Sequence, residues 1–253
     1  MTTNQNTTAV PNTSVKENPT TNQSIPFDYG ISIEELNRRF TPLYSGLIYD
    51  VMDNMGYPNQ ALANAIKPLV DRWVIAGPAY TLKLETNPST NTALREKRLK
   101  LLDLMVPGMI EVRDCSNDEQ VAHFGELNAN IIRAKGCIGA IVDGGSRDSR
   151  FILDMDFPVF CRYRNPVEAL GRAVVKDAMV DIIMRGALSA SVVVRPWDYI
   201  FADMDGVVVI PREIVKEVLV ESEHDFHLES QAREMYKNPN VSALEIYQKL
   251  GKL

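Results

Sequence analysis

Residues 125–162 read GELNANIIRAKGCIGAIVDGGSRDSRFILDMDFPVFCR, and their pattern decides the fold. GELNANIIRAKG has the spacing of a helix that starts near Gly125 and Glu126. It carries Arg133 and Lys135 in its last turn, where cations suit the helix dipole, and stops at Gly136. CIGAIVDGG is a short apolar run ending in glycines, the pattern of a buried strand and its turn, with Asp143 as a turn former. SRDSRFILDM predicts a short helix capped by Ser146, and FPVFCR predicts the next strand. This succession is a βαβ-type unit, whose sites fall at the carboxyl ends of strands and the N-termini of helices.

Working outward, SIEELNRRF places Ser32 and Glu35 at capping-box spacing. SGLIYDVMDNMG puts Leu47, Ile48, Val51, Met52 and Met55 on one helical face ahead of Gly56. WVIAGPAYTLKLE and GMIEVRD read as strands, with Gly77-Pro78 marking a bend or a sheet edge. From about residue 172, β-branched runs separated by turn residues predict several more strands, with Asp203 and Asp205 in a turn. REIVKEVLVESEHDFHLESQAREMYKN reads as a long helix with His224 and His227 facing solvent, and SALEIYQKL as a short terminal one. The opening residues are Thr, Asn, Gln and Pro with almost nothing to bury, so residues 1–30 are expected to form a disordered tail before one α/β domain over 31–253.

The 253 residues are 45% hydrophobic and 24% charged, enough for a sizeable core. With 27 basic against 33 acidic residues, a net charge of −6 and no basic run, the chain is not expected to bind nucleic acid. Three cysteines without a CxxC pair suit neither a disulfide framework nor zinc, and Cys137 and Cys161 read as small buried hydrophobes. No apolar run approaches the ~20 residues of a membrane span. The N-terminus has no signal-peptide core and no arginine before Arg38, so a cytoplasmic location is expected.

Glu126 opens one helix, and the intervening helix and strand return the chain so that Arg147 and Asp148 open the next. Two carboxylates and one guanidinium suit a hard divalent cation, Mg²⁺ or Mn²⁺, beside a small carboxylate substrate. Such a cation keeps several waters, and arginine grips a carboxylate through a bidentate fork. The N–H groups of Leu127 and Asn128, in the first turn, are placed to bind an oxyanion. An Arg-Asp dipeptide at a helix start is also the pattern of a cap with a solvated ion pair, so spacing alone leaves both readings open. His123, just ahead of the motif, reads as a structural histidine.

FGEL, AKGCIGAIVDGGSRD, FPVF and ADMDGVVVIP stand in an order that resembles the RraA-like family, which includes the class II 4-hydroxy-4-methyl-2-oxoglutarate / 4-carboxy-4-hydroxy-2-oxoadipate aldolases. YDVMDNMG and AGPAYTL resemble its earlier landmarks, and the match covers roughly residues 35 to 220. The resemblance implies a swivelling-domain-type α/β/α sandwich with a mixed sheet. It further implies metal-dependent retro-aldol cleavage giving pyruvate, with oxaloacetate decarboxylation beside it, in a homotrimer or homohexamer whose site lies at a subunit boundary. By the same resemblance Asp148 would coordinate the divalent metal and Glu126 would bind its water shell. Arg147 would hold the pyruvyl carboxylate, and the Leu127 and Asn128 amides would complete the cradle. Water is the implied base, because the motif offers neither a histidine nor a lysine for the task.

The chain departs from the family pattern at CRYRNP after FPVF, so Arg162, Tyr163 and Arg164 are expected to border the pocket. A Pro-Gly-Asp turn of the family is here Pro196-Trp197-Asp198, and a Leu-Leu pair is Leu127-Asn128. Two alternatives accompany the aldolase reading. One is a lyase for a related sugar-acid-derived oxo acid. The other is a non-catalytic protein that regulates an RNA-processing enzyme, since a fold does not fix a function.

Overall fold

A computed structural model describes residues 27–86 and 92–251. Most of the expected tail lies outside these residues. At its end, Tyr29 is buried, its hydroxyl donates to the carbonyl of Trp197, and its ring meets Tyr199 edge-on.

The chain runs α1 (Ile33–Phe40), α2 (Ser45–Asn54), β1 (Lys67–Pro68), β2 (Ile75–Thr86), α3 (Thr92–Leu101), β3 (Ile110–Asp114), β4 (Ala122–Phe124) and α4 (Glu126–Ala134). There follow β5 (Gly139–Ser146), α5 (Ser149–Asp154), β6 (Val159–Arg164), β7 (Ala173–Ala178), β8 (Ile182–Met184) and β9 (Val192–Val194). The last elements are β10 (Tyr199–Ala202), β11 (Val207–Ile210), α6 (Val215–Met235) and α7 (Ala243–Leu250). This is a mixed α/β fold, as the sequence predicts. Its main sheet runs β1-β6-β5-β3-β2-β10-β11, with β4 beside β5 and β7 beside β2. Parallel pairing joins β2 to β3, β3 to β5, and β5 to β4 and β6, whereas β1, β7, β10 and β11 pair antiparallel.

Pleat alternation divides the apolar residues between two cores. Tyr199 and Phe201 face the α1, α2 and α6 side with Phe40, Ile48 and Leu219, while Ile200 and Ala202 face the larger core of the sheet. Ser32 Oγ caps α1 by accepting from Glu35 N at 3.2 Å, an interaction worth about 1 kcal/mol. The Glu35 carboxylate turns to Arg38 instead of closing the box. Helix α2 has no cap of its own, and Asp203 supplies it from the β10–β11 turn, accepting from Ser45 N at 2.8 Å and Ser45 Oγ at 2.7 Å. Both helical histidines of α6, His224 and His227, are exposed as expected.

Three local expectations are corrected. Gly77-Pro78 lies inside β2, not at a bend: Ala79 N donates toward β10, so the missing N–H of Pro78 points to the other edge, where the β3 ladder begins only at Ala79. Gly77 is needed there because a Cβ would stand 2.4 Å from the Gly108 carbonyl oxygen. Ser146 ends β5, fully buried, and the residue before α5 is Asp148. Asp143 lies within β5 between Arg162 at 3.6 Å and Arg185 at 3.9 Å, so it serves the sheet and not a turn. Trp197 occupies the left-handed region at φ +72°, where the family's turn has glycine.

Candidate active site

Register along the parallel strands builds one wall of the site. Glu111 stands opposite Tyr80 and Ala140, and Arg113 opposite Leu82 and Val142, so Glu111 and Arg113 project from the same face. At the carboxyl ends of these strands lies a pocket of about 350 Å³, within the range of small-ligand sites. Leu84, Arg113 and Phe124 line it from the sheet, Gly125 and Asn128 from the start of α4, and Arg147, Asp148 and Glu168 from the loops. Arg98 and Leu99 close it from α3.

Asp148 adopts φ +57° and ψ +30°, a left-handed conformation that aspartate tolerates better than most residues. Its carboxylate does not cap its own helix. Oδ2 lies 3.4 Å from Glu126 N and 3.4 Å from Arg147 Nε, facing the first turn of α4. The Arg147 backbone N–H is fixed to the Phe124 carbonyl at 2.9 Å, while its guanidinium spans Asp148 and Glu168, the latter at 3.4 Å. Both contacts exceed the 2.7–2.9 Å of a strong charge-assisted bond, which leaves the guanidinium available to a ligand. Helix geometry leaves the N–H groups of Leu127 and Asn128 without an intrahelical acceptor, and Gly125 has no side chain to cap them.

The backbone at residue 125 must pass close to this pair. A Cβ there would stand 2.7 Å from Asp148 Oδ2 and 3.2 Å from Arg147 Cγ. Gly125→Ala should therefore displace both side chains while the chain still folds. If Asp148 holds a divalent cation, calorimetric titration with Mn²⁺ should show affinity lowered by at least ~10-fold, the scale of losing a ligand-orienting contact. Unchanged affinity would rule out Asp148 as a cation ligand.

The structure thus brings Arg147, Asp148, Leu127 and Asn128 together. Glu126 joins them through its backbone N–H, but its carboxylate accepts from Asn130 Nδ2 and lies outside the pocket lining. His123 is buried, with Nε2 3.1 Å from Asp118 and Nδ1 accepting from Gly145 N at 3.4 Å. Burial holds its pKa below the usual histidine value, so it is a neutral ring with both nitrogens engaged. Arg162, Tyr163 and Arg164 do not line the pocket, against expectation: they bind Glu119, the Val121 carbonyl and the Leu69 carbonyl.

Three charged pocket residues escape the sequence reading: Arg98, Arg113 and Glu168. Arg113 is 1% exposed, bonds Glu111 and the His123 carbonyl, and lies 5.2 Å over the Phe124 ring. Arg98 donates to Asn128 Oδ1. Desolvation, together with the positive charge of Arg113, pushes its pKa down to about 10, so it remains a cation at neutral pH.

Among the described residues no three His, Cys, Asp or Glu side chains converge as a metal cage. Mg²⁺ and Mn²⁺ do not require one, since they take one or two protein carboxylates and keep their waters. The Asp148 carboxylate, 40% exposed at the pocket with only long contacts, fits that kind of site.

The fold and the pocket define a mixed α/β protein with an arginine-lined crevice at the ends of parallel strands. The chain belongs to the RraA-like, Aldolase/RraA family, whose model matches residues 46–209. It is 31% identical over 209 residues to the "Putative 4-hydroxy-4-methyl-2-oxoglutarate aldolase" of Halalkalibacterium halodurans, covering 83% of this chain and 91% of that one. A crystal structure described as novel cellulases from microbes associated with the gut ecosystem superposes with a TM-score of 0.76 at 35% identity, over 81% of this chain and 90% of that one. RraAS2 of Streptomyces coelicolor, an unusual member of the RNase ES inhibitor RraA family, shares the fold with a TM-score of 0.68 at 23% identity, over 79% and 97% of the two chains.

Proposed function

We propose that the protein is a divalent-metal-dependent carbon-carbon lyase. It cleaves a 4-hydroxy-2-oxo-dicarboxylate to pyruvate and a second oxo acid, and decarboxylates oxaloacetate. The observation that carries this reading is the Arg147-Asp148 pair set against the first turn of α4 in the pocket. The likeness to a relative named as an aldolase supports it.

In this reading Arg147 grips the substrate's C1 carboxylate through its fork, and the N–H groups of Leu127 and Asn128 point at the 2-oxo oxygen, where negative charge gathers as the bond breaks. Asp148 would hold Mg²⁺ or Mn²⁺, and Glu126 would hold waters around it once its carboxylate leaves Asn130. The cation supplies Lewis acidity toward the 2-oxo group. The 4-hydroxyl proton passes to water as the C3–C4 bond breaks, and water returns a proton to C3 to give the pyruvate methyl, because among the described residues His123 has no free nitrogen and no lysine lines the pocket.

Three arginines suit a small anion better than a neutral glucan or a protein surface, which favours this reading over a purely regulatory role. Leu127 and Phe151, 72% and 58% exposed beside the site, are apolar residues that a homotrimer or homohexamer would cover. Three free, buried cysteines fit a reducing cytoplasm.

The deciding experiment measures pyruvate release from 4-hydroxy-4-methyl-2-oxoglutarate and from oxaloacetate, with Mg²⁺ or Mn²⁺ and again with a chelator. Release that stops with the chelator is expected. Release that persists with the chelator removes the metal from the mechanism, and no release from either substrate overturns the proposed activity.

A further inference from the structure

The α3 and β3 wall of the pocket holds more positive charge than the fold needs. Arg98 and Arg113 both line it, and one carboxylate, that of Glu111, pairs with Arg113. Asp148 and Glu168, the other acids of the pocket, stand 3.4 Å from Arg147 on the opposite wall. His123 is neutral, and the Tyr80 hydroxyl donates to the Leu101 carbonyl. Two guanidiniums against one buried carboxylate leave Arg98 with no carboxylate partner of its own among the described residues, only the neutral Asn128 amide oxygen.

The unsatisfied donors are specific atoms. Arg98 Nε and Arg113 Nε are both buried without a hydrogen-bond partner, as is Glu111 Oε2 on the acceptor side. Arg113 is otherwise fixed at both Nη atoms, whereas among the described residues Arg98 bonds Asn128 alone. Asn128 also belongs to the first turn of α4, so Arg98 is tied to the same turn that faces Asp148. Leu84, Leu99 and Val175 make the remaining surface apolar. An anion entering that surroundings would gain charge-assisted bonds in a low dielectric.

We propose that Arg98, backed by Arg113, forms a second anion subsite that takes the distal carboxylate of the substrate, making Arg98 the residue that selects dicarboxylic over monocarboxylic oxo acids. The assignment of this carboxylate to a cleaved substrate rests on the lyase reading above. The subsite itself rests on the pocket wall. A simple structural role for Arg98, pairing across to Glu111, is the competing account, and it makes a different prediction about ligands.

Two probes isolate the distal group: 2-oxoglutarate, and 2-oxopentanoate, which has the same chain length without the second carboxylate. Their affinities for the full chain are measured by calorimetry, with Mg²⁺ and with a chelator, for the native protein, Arg98→Met and Arg98→Lys. The native protein should prefer 2-oxoglutarate by ~10-fold or more, the scale of one charge-assisted contact. In Arg98→Met the ratio of the two affinities should fall toward one, and Arg98→Lys should restore part of it. A native protein that binds both alike, or binds neither at millimolar concentration, overturns the subsite. So does an Arg98→Met variant that keeps the preference while losing thermal stability. The two proposals fail separately: dicarboxylate preference that depends on Arg98 without pyruvate release sinks the lyase and spares the subsite. Pyruvate release with no such preference does the reverse.

Discussion

Asp148→Asn is expected to lower metal-dependent turnover by at least ~10³-fold, about 4 kcal/mol of transition-state stabilisation, while leaving the melting temperature nearly unchanged. Asparagine keeps the size of the side chain and tolerates the left-handed backbone at φ +57°. It removes the anionic oxygen that would bind the cation. Asp148→Ala should abolish activity equally but also lower stability by about 1–2 kcal/mol, because alanine has no such tolerance. Comparing the two variants separates the ligand from the strain. If Asp148→Asn retains chelator-sensitive turnover, Asp148 is not the metal ligand, and its unusual backbone needs another account.

That backbone also explains what the sequence could and could not disclose. The glycines that close β5 and the helix stop at Gly136 are local signals, and they place Arg147 and Asp148 near Glu126 without any tertiary knowledge. Whether Asp148 caps its own helix or turns across to α4 depends on one dihedral that no residue pattern encodes. The helix start lies two residues beyond Ser146, and the consequence is large, because the Asp148 carboxylate makes no bond to its own helix and faces Glu126 N instead. Glu126 shows the same limit: its position is right, but the neighbour that binds its carboxylate, Asn130, lies one turn along the helix.

The arginine wall had a signal that could have been read. A central strand buried on both faces is ordinarily apolar, so the alternation of Glu111 and Arg113 in IEVRD marks an enclosed ion pair. Helix α3 offered less. TALREKRLKL has charges on every side and no apolar stripe, so neither the helix nor the inward aim of Arg98 follows from its periodicity. Glu168 lies in an irregular loop after β6, and only the folded chain sets it beside Arg147. Elements defined by local chemistry were legible, and side chains recruited across the sheet were not.

Arg147→Lys tests the other half of the pair and is expected to cost on the order of 100-fold in kcat/KM, about 2.7 kcal/mol, despite keeping the charge. The guanidinium now spans Asp148 and Glu168 at 3.4 Å each, far enough to turn its fork toward an incoming carboxylate. An ammonium is a point charge that can close on one acid at a time, so Asp148 or Glu168 would hold it and compete with the substrate. The double variant Arg147→Lys with Glu168→Gln removes one competitor. It should recover part of the lost substrate affinity but not the geometry of the fork. Near-native kinetics in Arg147→Lys alone would show that charge suffices and the bidentate clamp is wrong. A loss that Glu168→Gln leaves untouched would place the whole cost in the fork itself, making the planarity of Arg147, not its freedom from Glu168, the property that orients the substrate.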